Sequence, residues 1–122
     1  MLNAARFGTR DIKRAIPFYD AIAEILGAAR AIERHGMVGY RGPDGGLFII
    51  GTPREGQANV GNGSQVMFGA PSRTAVDAVH AKALQLGGSC EGPPGMRGET
   101  VYAAYFRDLD GNKIVVANYG PA

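Results

Sequence analysis

Leu109-Asp110-Gly111-Asn112-Lys113-Ile114-Val115-Val116 is a tight turn running into an apolar strand, and Pro43-Asp44-Gly45-Gly46-Leu47-Phe48-Ile49-Ile50 repeats that arrangement in the first half of the chain. An Asp-Gly pair ahead of a β-branched or aromatic run is a turn-then-strand signal. Two further pairs match in the same order, Phe7-Gly8-Thr9 with Phe68-Gly69-Ala70 and Leu26-Gly27 with Leu86-Gly87. A common order at nearly constant spacing implies duplication of one unit. The 122 residues suffice for one compact domain and are too few for two independent ones. The two modules, about 1–60 and 61–122, must therefore share a core.

Composition narrows the partners. An apolar fraction of 45% and a charged fraction of 20% suit a folded globular chain, and 19 glycines imply many tight turns. A net charge of +2, scattered along the chain, gives no nucleic-acid footprint. No apolar run approaches the roughly 20 residues of a membrane span, and the N-terminus lacks the basic-then-apolar pattern of a secretion signal, so no membrane partner and a cytoplasmic location are expected. Cys90 is the single cysteine, which excludes an intrachain disulfide and a thiolate cluster. It is read as a small buried or half-buried side chain. Asn62-Gly63-Ser64 is read as a turn.

Each half reads βαβββ. Asp11 caps a helix whose apolar positions Ile12, Ala15, Ile16, Tyr19, Ile22, Ala23 and Leu26 follow helical spacing up to Gly27, with a bend expected at Pro17. Ser72 caps the second helix through Val76, Val79, Ala83 and Leu86, closed by Gly87-Gly88. Strands are predicted at about 2–9, 29–34, 37–42 and 47–52, then 64–70, 88–92, 100–107 and 113–118.

Strand alternation assigns faces. Ala5, Phe7, Phe48, Ile50, Val66, Phe68, Ile114 and Val116 form the set expected beneath the helices. Ala4, Arg6, Leu47, Ile49, Gln65, Met67, Lys113 and Val115 point the other way, a mixed set suited to lining a cavity. A hairpin across Asp108–Asn112 pairs Arg107 with Lys113, puts Tyr105 opposite Val115 on the cavity face, and places Phe106 under the helix beside Ile114. The repeat relation sets Gly39 opposite Ile49 and Tyr40 under the other helix.

With Asp11-Ile12, Phe18-Tyr19, Gly87-Gly88, Gly95-Met96-Arg97 and Phe106-Arg107-Asp108-Leu109-Asp110-Gly111-Asn112 placed, nearly the whole chain resembles the glyoxalase, bleomycin-resistance and extradiol-dioxygenase superfamily, the vicinal oxygen chelate proteins. The resemblance implies an α+β fold of two tandem βαβββ modules forming a cupped mixed sheet with helices on the outer face, commonly completed by dimerisation. A homodimer is the expected state. In enzymes of the family a divalent metal sits on the concave face, held by His or Gln on the first strand of a module and Glu on its last. A metal there acts as a Lewis acid toward two neighbouring substrate oxygens. The corresponding positions here are Ala4, Gln65, Ile49 and Val115. Three of them cannot bind a metal, and one amide oxygen is far short of a ligand set. No metal and no cofactor are expected.

No other residues rebuild such a site. His80 falls on the second helix beside Val79, away from the cavity, and His35 falls in the turn Glu33-Arg34-His35-Gly36. Asp108 and Asp110 are expected to satisfy turn amides. No Ser-His-Asp, Cys-His or phosphate-loop pattern is present. What remains is a cup lined by Ala4, Leu47, Ile49, Met67, Val115 and Met37, with Arg6, Gln65 and Tyr105 as polar members. Gly92-Pro93-Pro94-Gly95-Met96-Arg97-Gly98 is read as a mobile rim loop carrying Arg97.

The substrate-binding set is thus Arg6, Ile49, Gln65, Met67, Arg97, Tyr105 and Val115. These residues suit metal-independent binding of a small, partly apolar and anionic ligand: apolar walls plus a few oriented polar groups. The alternative is a glyoxalase-like lyase or isomerase, or a dioxygenase, with a relocated or partner-completed site using Gln65 and Tyr105. A third reading is an interaction or regulatory module whose cup is filled by its own side chains.

Overall fold

Asp11 begins the first helix as its sequence position dictates: its carboxylate accepts the Arg14 amide, and Gly27 ends the helix in the left-handed region at φ 72°. Ser72 does the same for the second helix, accepting the Ala75 amide. The computed structural model describes residues 1–121. The first module runs β1 (Ala4–Gly8), α1 (Ile12–Leu26), β2 (Ala29–Arg34), β3 (Met37–Arg41) and β4 (Leu47–Gly51). The second runs β5 (Val66–Gly69), α2 (Arg73–Gln85), β6 (Ser89–Arg97), β7 (Val101–Arg107) and β8 (Lys113–Asn118). Helix α1 continues through Pro17. No helix is long and apolar enough to cross a membrane among the described residues.

Each module builds a four-stranded mixed sheet, in the orders β1-β4-β3-β2 and β5-β8-β7-β6. The first and last strands of each module lie side by side in parallel, and the other neighbours are antiparallel. The registers are those that alternation requires, with Gly39 opposite Ile49, Tyr105 opposite Val115 and Phe106 opposite Ile114. The helices pack on one another and over the sheets, so both modules contribute to one core. Phe18, Ile22, Phe48, Ile50, Val76, Val79, Phe106, Ile114 and Val116 are buried in it. Truncating Phe18 or Phe106 to Ala would cost roughly 3–5 kcal/mol by lost transfer energy and cavity formation.

Two sequence expectations fail in β6. The Gly92–Gly98 segment is largely strand, not a rim loop: Gly92, Gly95, Met96 and Arg97 pair with Tyr105, Ala103, Tyr102 and Val101, with two register shifts on the way. β6 is the outer strand of its sheet, where bulges are common and a proline sacrifices no ladder bond on its free side. The turn itself begins at Gly98, at φ 78°. Cys90, expected to be buried or half-buried, is exposed on the same edge strand.

Candidate functional site

The sheet faces opposite the helices differ between the modules. In the first, Arg6 and Ile49 are partners on β1 and β4. The Arg6 guanidinium donates to the Thr52 carbonyl at 2.9 Å. It packs over Gly51, where an added Cβ would lie only 2.9 Å from Nη2. In the second module, Val115 is fully buried with Ala103 and Ala117, and Tyr105 and Val101 pack against them. Met67 pairs with Val115 across β5 and β8, is 47% exposed, and accepts a contact from the Tyr119 hydroxyl at 3.0 Å. Gln65 is exposed and lies one residue before β5.

Tyr105 is the centre of the second face. The Arg97 guanidinium lies 5.5 Å from its ring centroid and the Lys113 ammonium 5.3 Å. Both distances are in the range of attraction between a cation and an aromatic face. Arg97 is held by donating to the Pro93 carbonyl at 2.7 Å, and Pro93 lies within the second β6 irregularity, between Gly92 and Gly95. Neither Arg97 nor Lys113 has an ion-pair partner among the described residues, whereas neighbouring Arg107 is committed to Glu91. That pairing holds the Glu91 carboxyl below its ordinary range. Of the sequence-derived set, the structure brings Arg97, Tyr105, Val115 and Met67 together on one sheet, with Arg6 and Ile49 on the other. Lys113 was missed as a site residue. Alternation had already put it on this face, and its position diagonal to Tyr105 on the adjacent strand is within reach of a long side chain.

The metal positions inferred from the family do not fit a metal. Ala4, Ile49 and Val115 offer no donor, Gln65 stands alone, and no group of three His, Cys, Asp or Glu side chains is placed to hold a metal ion among the described residues. His35 lies exposed in its turn. His80 is buried, and its Nε2 lies 3.3 Å from the Cys90 sulfur. Burial pulls the imidazole below its ordinary value, with Asp77 opposing.

Asp108 does more than satisfy its turn. It accepts the amides of Asp110 and Asn112 at 2.9 and 2.8 Å. It also accepts the buried Tyr19 hydroxyl at 2.5 Å and the Asn112 side-chain amide at 3.0 Å. Asn112 donates in turn to the Gly8 carbonyl at 2.9 Å, and Asp110 accepts the Arg10 amide at 2.8 Å. The turn of the second module thereby clasps the first. Burial, then the Asp108 charge, push the Tyr19 hydroxyl well above its ordinary pKa.

A cavity of about 450 Å³ lies on the helix side of the first sheet, between α1, the turn at 42–46 and the edge strand β5. Ala4, Leu47 and Met67 of the expected cup reach it, while Arg6, Ile49, Gln65, Arg97, Tyr105 and Val115 do not line it.

Residues 2–116 match the family model of the Glyoxalase/Bleomycin resistance protein/Dioxygenase superfamily. The chain belongs to this superfamily. A glyoxalase/bleomycin resistance protein from Albidiferax ferrireducens T118 is 38% identical, with a TM-score of 0.91 over 98% of this chain and 99% of that one. A family enzyme from Burkholderia phytofirmans PsJN shares the fold at 16% identity, with a TM-score of 0.74 over 97% of this chain and 98% of that one. Lactoylglutathione lyase from Agrobacterium tumefaciens shares it at 17% identity, with a TM-score of 0.68 over 97% and 92%. No curated protein matches the chain.

Proposed function

We propose that this superfamily member binds a small, partly apolar anion without a metal, over Tyr105 on the second sheet. The observation that carries the reading is the Tyr105 ring flanked by Arg97 and Lys113, two cations without carboxylate partners among the described residues. A planar ligand carboxylate or phosphate matches the guanidinium fork. Met67 and the Tyr105 ring supply apolar contact for the rest of the molecule. In this reading the protein is a cytoplasmic homodimer, in which the first-sheet face of one copy, with Arg6 and Ile49, closes over the second-sheet face of the other.

Titration calorimetry with a panel of aromatic carboxylates and phosphate monoesters tests it. Binding is expected to weaken at least tenfold in an Arg97→Ala/Lys113→Ala double variant and to fall with added salt, because exposed charges are screened. Stoichiometric divalent metal in the purified protein, or anion affinity unchanged in the double variant, would sink the reading. A catalytic version rests on the Tyr105 hydroxyl, which has no hydrogen-bond partner among the described residues and is free to hydrogen-bond a ligand. Turnover of dicarbonyl, thiol-adduct or catechol substrates that Tyr105→Phe abolishes while binding persists would favour that version.

A further inference from the structure

The 450 Å³ cavity lies at a turn whose repeat partner carries side chains where this one has glycines. β4 aligns with β8, so Gly42 and Gly46 stand where the second module has Asp108 and Asn112, and Gly69 on β5 stands where the first module has Gly8. In one half, Asp108 and Asn112 bridge the turn to the end of β1 and to Tyr19. In the other half the equivalent positions have no side chain. The space between the 42–46 turn and the Gly69–Pro71 end of β5 stays open.

The walls of this cleft have a consistent chemistry. Tyr40, Tyr19, Phe48 and Phe68 line it as a row of rings, with successive centroids 6.5, 4.9 and 5.0 Å apart. The two hydroxyls are engaged elsewhere, Tyr19 with Asp108 and Tyr40 with Asp20 at 2.7 Å, so the cleft meets mainly ring carbon. Ile22, Leu26 and Val66 complete an apolar lining. Among the described lining residues Asp44 is the one charged side chain, and no Lys, Arg or His is present. The volume lies within the roughly 300–1,000 Å³ typical of small-molecule sites.

We propose that this inter-module cleft is a second small-molecule site, separate from the Tyr105 face, that takes a flat aromatic molecule with no negative charge. Ring walls favour offset or edge-on aromatic contact, and they also attract cations. An anion entering would lose its hydration with no donor cation to offset the loss, and would meet Asp44 at the mouth. The inference does not rest on the function proposed for Tyr105.

N-phenyl-1-naphthylamine and 1-anilinonaphthalene-8-sulfonate share the same rings and differ by one sulfonate, so their fluorescence titrations against the full chain isolate the charge. The neutral probe is expected to bind at one site per chain, to slow amide exchange at 42–47 and 66–71, and to occupy the cleft at least tenfold more tightly than the sulfonate. Ala70→Phe should weaken the neutral probe at least tenfold by filling the cleft, and Asp44→Lys should narrow or reverse the charge preference. Should Ala70→Phe fail to fold, the exchange footprint on the unmodified protein decides alone. Absence of neutral-probe binding, protection on β7 and β8 instead of the cleft, or equal protection of the cleft by both probes would overturn the proposal. A sulfonate confined to β7 and β8 would support the cleft's charge preference, and Arg97→Ala/Lys113→Ala would then report separately on the Tyr105 site.

Discussion

The two turns that reveal the duplication have diverged into opposite roles. The turn at 108–112 is built around a buried carboxylate that accepts four hydrogen bonds and ties the second module to β1 and α1 of the first. The turn at 42–46 bonds within itself and to adjoining Arg41, with Asp44 accepting the Gly46 amide at 3.3 Å and Arg41 donating to the Gly45 carbonyl at 2.9 Å, and the neighbouring cleft stays open. One geometry, copied, therefore gives a locked junction where Asp108 and Asn112 stand and an accessible one where Gly42 and Gly46 stand. Their surroundings differ too: among the described residues Asp44 is the one charged side chain lining the cleft, whereas the Tyr105 face is flanked by Arg97 and Lys113, neither within ion-pair distance of a carboxylate.

Removing the clasp carboxylate should break this contrast with the largest effect. Asp108→Ala leaves the Tyr19 hydroxyl, the Asn112 side chain and two turn amides without an acceptor in a buried site. The cost should be roughly 3–5 kcal/mol, because buried donors lose their partner while remaining desolvated. The matching change in the other turn, Asp44→Ala, should stay within about 0.5 kcal/mol, as expected for an exposed side chain bonding only its own loop. Urea melts of the two variants measure the difference. Equal midpoints would show that Asp108 is an ordinary turn residue.

The divergence also explains what was readable in the sequence. Helix caps, strand alternation and the hairpin register follow from local chemistry, so Asp11, Ser72, the buried set around Phe48 and Ile114, and the pairing of Tyr105 with Val115 were all legible. Asp108 was legible as a turn residue and illegible as a clasp, because its partner Tyr19 lies in the other module and only tertiary packing brings them together. The paired strand in Gly92–Arg97 was hidden by prolines and glycines that ordinarily signal a loop. The cleft left no signal in either module alone. Gly42 and Gly46 line it without side chains, which stands out only when the second copy shows Asp108 and Asn112 at those positions.

Tyr19→Phe sharpens the same comparison with a smaller effect. It keeps the ring against Phe48 and removes one of the four donors to Asp108, for an expected loss of about 1–3 kcal/mol at neutral pH. Its pH dependence is diagnostic. The folded-state pKa of Tyr19 is raised, chiefly by burial, so its contribution is fully present below the ordinary tyrosine value of about 10 and is lost as pH rises above it. Thermal melts between pH 8 and 11 should converge for the parent and Tyr19→Phe, with the gap closing on the alkaline side. A gap constant across that interval would mean that the hydroxyl does not titrate out of the clasp.

The smallest effect compares another pair of repeat-related positions. Asp20 on α1 reaches Arg30 on β2 at 2.5 Å, and the equivalent residues of the second module, His80 on α2 and Cys90 on β6, meet at 3.3 Å. The pairing is electrostatic in one copy and a neutral contact in the other, which separates them in acid. Burial depresses the His80 pKa, so the unfolded chain takes up that proton first as pH falls. Stability from neutral His80 is therefore present above its ordinary value of about 6.5 and is lost as pH drops through the depressed folded value. Hydrogen bonding to Arg30 depresses Asp20, so its contribution persists to lower pH and is lost only below the ordinary aspartate value of about 3.9. Both partners of the Asp20 pair are partly exposed, so solvent screening keeps its contribution small. His80→Gln should flatten the stability profile between pH 7 and 5, and Asp20→Asn should flatten it only below pH 4. A His80→Gln profile that parallels the parent through pH 5 would show that the buried imidazole does not hold its proton differently in the folded chain.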